Sequence, residues 1–175
     1  VMTLAWDVLS TLTPVDYLKF RQVLGTSSGF QSAQFREIEF RLGIKERAFV
    51  NHYPDGSPER ARLDAALAAP SLRDAAIDAL EAAGLEVGDR SLDALSAAWL
   101  QVYRDSDRHF VLYELAEELV DIDDALAGWR HKHVLTVERI IGNKTGTGGS
   151  AGASYLRSTL GKRAFPELWS VRTAL

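Results

Sequence analysis

The sequence predicts an all-α protein, on three observations. Apolar residues recur at the helical period along most of the 175 residues. No stretch alternates apolar and polar residues with the β-branched enrichment of a strand. Helix-starting Thr, Ser and Pro and helix-ending glycines fall between the periodic segments.

The elements follow in order. A short helix is expected over about 2–11. Thr13-Pro14-Val15-Asp16 then starts another: Thr13 caps, Pro14 suits the first helical position, and Asp16 faces the positive end of the helix. It stops at Gly25, and "TSSGF" makes a turn. "QSAQFREIEFRL" is the next helix, closed by Gly43, and "KERAFVNHY" is a short one. After the loop "PDGSP" come two alanine-rich helices, about 58–68 and 72–83, with Ser71 and Asp74 spaced as a capping box and Gly84 as the stop. A helix from Ser91 to about Arg104 leads to a longer one over about 107–125, which Gly128 weakens or kinks before it continues to Ile141. The remainder is a glycine-rich loop, a short helix at "SYLRSTLG" and a partly ordered tail.

The totals describe one domain over 1–175, with 54–90 as a peripheral helical insertion. A net charge of −4 argues against nucleic acid as the main partner. With no cysteine there is no disulfide, thiolate metal site or thiol nucleophile. No apolar run reaches the ~18 residues that span a bilayer. Val1-Met2-Thr3-Leu4 reads as the inside of an element, which suggests a fragment; Met2 as a true start is the plainer alternative.

The stretch "GWRHKHVLTVERIIGNKTGTGGSAG" (128–152) carries the most chemistry. Lys144-Thr145 follows Asn143 rather than glycine, and the loop follows a helix, so the phosphate-binding P-loop pattern fails. His131 and His133 stand about 200° apart around a helix and cannot share an ion. None of the four histidines has Glu three residues before it, so the di-iron Glu-x-x-His repeat is absent. His133 alone shares a face with Leu126, Trp129, Val137 and Ile140. Such an imidazole is either the fifth ligand of a haem iron or a core histidine bonded to a backbone carbonyl, and spacing favours the second. Tyr17, Arg21 and Leu24 share another helical face. Arg21 suits a carboxylate, though a surface arginine paired with an acid is the commoner case. Ser28 and Gly29 offer polar groups in the following turn. "YELAEELVDIDD" (113–124) reads as a solvated acidic face, with Arg157 and Arg139 answering some of its acids.

Two long blocks, "TPVDYLKFRQVLGTSSGFQSAQFREIEFRLG" (13–43) and "WRHKHVLTVERIIGNKTGTGGSAGASYLRSTLG" (129–161), joined by "LYELAEELVDIDDAL", resemble the signature blocks of the tryptophan 2,3-dioxygenases. The resemblance covers most of the chain outside 44–90 and corresponds to the C-terminal two thirds of family members. It implies an all-α helical domain binding haem b, in a cytoplasmic homotetramer with no nucleic-acid or membrane partner. It implies insertion of both atoms of O₂ across the indole C2–C3 bond of L-tryptophan, giving N-formylkynurenine. By the match, His133 is the proximal iron ligand, and Trp6, Ser28, Gly29 and Val137 lie along the haem. Arg21 pairs with the substrate carboxylate, Thr147 lies near its ammonium, and Tyr17 and Leu24 line the pocket. The glycines around Thr147 permit that loop to close over the substrate. The family's distal histidine maps to no residue here, so the chain is expected to carry the proximal half of the site. Two alternatives stand beside this: a related haem oxygenase acting on substituted indoles, which is a close variant, and a haem-free helical assembly module, which is of another class.

Overall fold

The computed structural model describes residues 11, 13, 15, 16, 19, 33–142 and 152–175, with the backbone alone at 140 and 141. Among these residues the regular structure is helical and contains no strand. The helices are α1 (Ala33–Leu42), α2 (Pro58–Ala68), α3 (Leu72–Ala82), α4 (Leu92–Arg104), α5 (Phe110–Ile141), α6 (Ala153–Ser158) and α7 (Pro166–Ala174), with a 3₁₀ helix at Arg47–His52. The helices expected over about 2–11 and 14–24 fall mostly outside the described residues. The Thr13 cap is seen, however: its hydroxyl oxygen accepts the Asp16 N–H at 3.2 Å.

The chain divides into two compact units, one of 33–124 with 163–175 and the other of 1–32 with 125–162. In the first, α1 packs on α2 around Phe40, Val50, Leu63 and Ala66. The Arg36 and Glu39 side chains are buried as an ion pair at 2.5 Å. The Arg36 guanidinium also lies 3.5 Å above the Phe49 ring centre. Desolvating that pair is costly, and the aromatic face and the close carboxylate offset the cost. Gly43 ends α1 with φ +127°, which lets the Ile44 N–H reach back to the Glu39 carbonyl at 2.8 Å.

A second apolar cluster in the same unit gathers Ile77 and Leu80 of α3, Leu95, Trp99 and Val102 of α4, Leu112 and Leu119 of α5, and Leu168 and Val171 of α7. The α3 start matches its sequence signal, since Ser71 and Asp74 bond each other reciprocally as a capping box. Burial of Trp99 contributes most per residue here, because aromatic side chains remove the largest apolar area from water. The expected partly ordered tail is corrected. Pro166–Ala174 is α7, which packs on α4 and buries Glu167, Leu168 and Val171. Its apolar signal is Leu168, Trp169 and Val171, too few for a period to show before the partner surface is known.

Burial also separates the acids of 113–124. Glu114, Glu118, Asp121 and Asp124 face solvent, as expected. Asp123 does not: it is fully buried and accepts the Ala164 N–H at 3.0 Å, the Phe165 N–H at 3.3 Å and the Trp169 indole N–H at 2.9 Å. That carboxylate binds the backbone that leads into α7. In the second unit the described structure is α5 from Ala125 onward and α6. The helix runs unbroken through Gly128, where the sequence suggested weakening, and ends at Gly142 with φ +59°.

Candidate functional site

The C-terminal part of α5 places Trp129, His133 and Val137 at successive turns of one face, because four residues are slightly more than one turn. His133 is half-buried. Burial pushes its imidazole pKa down to about 4, since desolvation penalises the charged ring. The ring is therefore neutral at neutral pH and keeps a nitrogen lone pair in its plane. The Trp129 indole is stacked on it, with ring centres 5.3 Å apart and planes within 3°.

The same stretch is tied down by polar contacts within its unit. Arg130 is 1% exposed and donates to the Lys162 carbonyl at 2.5 Å. Thr136 returns its hydroxyl to the Lys132 carbonyl at 2.9 Å, a turn back along the helix. Arg157 of α6 is paired with Glu138 of α5. The sequence had assigned Arg157 to the acids of 113–124; its carboxylate is instead this local one.

Of the residues expected to form the site, the structure describes two, His133 and Val137, and brings them to one helical face with Val137 half-buried. Trp6, Tyr17, Arg21, Leu24, Ser28, Gly29 and Thr147 lie outside the described residues. Trp129 lies on the apolar stripe of His133 in sequence without being an expected site residue; its spacing of four residues from His133 is the signal that could have paired them. Arg130 had none, because its partner is a main-chain carbonyl 32 residues away.

Among the described residues no group of three or more His, Cys, Asp or Glu side chains could hold a metal ion. A single neutral imidazole does not hold a bare ion. It does suit a metal whose other ligands arrive with its own macrocycle.

The family model described as tryptophan 2,3-dioxygenase matches residues 1–88 and 56–175. A tryptophan 2,3-dioxygenase of Caulobacter vibrioides is 56% identical, over 100% of this chain and 71% of its own length. Those of Shewanella woodyi and Bacillus cereus are 48% and 50% identical, over 99% and 98% of this chain and 65% of their own lengths. The chain belongs to the tryptophan 2,3-dioxygenase family. It spans about two thirds of the length of these relatives.

As a family of dioxygenases, the tryptophan 2,3-dioxygenases imply a haem cofactor, tryptophan and O₂. The described residues fit the cofactor: the proximal position asks for one uncharged imidazole in an apolar setting, and His133 is one. The all-α reading belongs to the same family and agrees with the helices described here. No helix among the described residues is long and apolar enough to cross a membrane.

Proposed function

We propose that this chain provides the proximal side of a haem-dependent dioxygenase that converts L-tryptophan and O₂ to N-formylkynurenine. The observation that carries the reading is His133, a half-buried, uncharged imidazole on α5, in a chain that belongs to the tryptophan 2,3-dioxygenase family. Haem b, when bound, supplies the iron that takes up and activates O₂.

The chain's own residues hold and orient. His133 would hold the haem iron through its in-plane lone pair. Val137, one turn on, and Trp6 would give the macrocycle apolar contacts, and Ser28 and Gly29 would offer its edge polar groups. Arg21 pairs its planar fork with the substrate carboxylate, which fixes the amino acid by two parallel bonds. Thr147 accepts from the substrate ammonium, and Tyr17 and Leu24 enclose the indole. Two fixed polar ends leave the indole little freedom, and orientation of that kind is worth several kcal/mol of barrier. Both oxygen atoms enter the product across C2–C3, so no external reductant is consumed. The working form is a homotetramer in the cytoplasm.

Haem titration of the purified chain tests the reading. The Soret band of bound haem is expected with one equivalent taken up, and His133→Ala removes it. A wild-type chain that takes up no haem, or a His133→Ala variant that keeps full uptake, overturns the proposal and favours a haem-free assembly module. For the substrate, Arg21→Met is expected to weaken L-tryptophan at least tenfold and indole less than twofold. Equal losses remove the carboxylate role from Arg21.

A further inference from the structure

We propose that Trp129 is a positioning residue for His133, holding the imidazole plane for the metal ligation proposed above; the inference rests on that ligation. Its ground is the parallel stack of the two rings, centres 5.3 Å apart and planes within 3°.

A helical histidine reaches a ligand through two torsions. The second, between the β-carbon and the ring, is broad and roughly two-fold, so the plane of a lone imidazole swings. Ring swing changes how the in-plane lone pair meets the metal. Helical side chains lean toward the N-terminus, so the ring of residue 133 is carried over the turn that bears residue 129. Trp129 offers the largest flat apolar surface of any side chain at that point. Contact with it closes one face of the imidazole and narrows the swing.

Stacking also suits a ligand in a way a hydrogen bond does not. Ring nitrogens present their lone pair and N–H at the edge, in the plane of the ring. A partner on the face therefore competes for neither nitrogen. The stack itself obstructs neither the edge that would meet the metal nor the one that would take the bond that ordinarily orients a ligating histidine. The helix turn that bears Trp129 is tied down next door, where Arg130 is buried and bonded to the Lys162 carbonyl. A pair of this kind is worth about two- to tenfold in an equilibrium constant.

The test compares Trp129→Phe, which keeps a stacking face, with Trp129→Leu, which keeps an apolar side chain and favours the helix but offers no flat face. In the haem-free protein, nuclear magnetic resonance is expected to show the His133 ring protons shifted upfield by the indole. Trp129→Leu returns them to ordinary positions. In the haem-bound protein, Trp129→Leu lowers haem affinity by about two- to tenfold and broadens the ferric paramagnetic resonance spectrum, which reports the imidazole plane. Trp129→Phe keeps both near wild type. Imidazole added to His133→Gly restores haem uptake, and several-fold more imidazole is needed when Trp129→Leu is also present. If His133→Gly holds haem as well as wild type, or the wild-type chain holds none, the ligation fails and the inference with it. If His133→Gly loses haem and imidazole restores it equally with Trp129 or leucine present, the ligation stands and the positioning role is overturned. Unchanged haem affinity and spectrum in Trp129→Leu overturn it as well.

Discussion

Removing the Asp123 side chain is expected to destabilise the protein by about 3 kcal/mol. The carboxylate is fully buried and accepts three N–H groups, from Ala164, Phe165 and Trp169. Asp123→Ala strands all three, and a buried unsatisfied donor costs about 1–3 kcal/mol. Two effects hold the total below the plain sum. The substitution ends the desolvation cost of the carboxylate itself. Water can also enter the vacated polar space and bond some of the donors.

Asp123→Asn is the gentler change. Its single oxygen can keep the Phe165 and Trp169 donors, while its NH₂ then faces the Ala164 N–H, so about 1–2 kcal/mol is expected. Trp169→Phe removes one donor with its share of the carboxylate. In the Asp123→Ala background that indole N–H is already stranded, so a double-mutant cycle is expected to show about 1–1.5 kcal/mol of coupling. Urea denaturation at neutral pH, followed by circular dichroism with unchanged m values, measures each term. A loss under about 1 kcal/mol for Asp123→Ala, or strict additivity with Trp169→Phe, refutes the reasoning.

The pH dependence of the haem-free protein follows from His133. Its folded pKa of about 4 lies below the unfolded value of 6.5, so the unfolded chain binds the proton first. The stability this contributes is present above pH ~6.5 and is lost as pH falls through about 4, by about 3 kcal/mol. Against a His133→Gln control, wild type should lose that much more stability over this window; parallel losses would show an ordinary, exposed histidine. Gly43→Ala is expected to destabilise by about 2 kcal/mol, because alanine at φ +127° is strained and its Cβ would stand 2.8 Å from the Arg73 Cβ. Arg73 in turn clamps the buried Glu167 at 2.9 Å, so little room is available to shift. Equal or higher stability in urea would show that the unfolded-chain entropy gain of alanine prevails.

The sequence by itself determined the helical class and most element boundaries. Those signals are local: a Ser71–Asp74 cap, a glycine after Leu42, and an apolar period long enough to read along α5. It also determined the family, whose resemblance two long blocks carry. Tertiary structure alone decided what distant residues do for one another. One acid among several on α5, Asp123, is the buried anchor of α7; the helical period sets it on the face of Leu112, Ala116 and Leu119, but only the fold supplies the N–H groups it meets. The short α7 exists as a helix through its packing on α4, and the Arg130 partner is a carbonyl that carries no residue identity. The stack of Trp129 on His133 has a sequence trace in their four-residue spacing, but whether the rings lie parallel or apart depends on side-chain torsions. Burial sets those torsions and the imidazole charge together. Burial belongs to the folded surroundings, so helical period reveals the face a residue occupies and leaves its solvation to the fold.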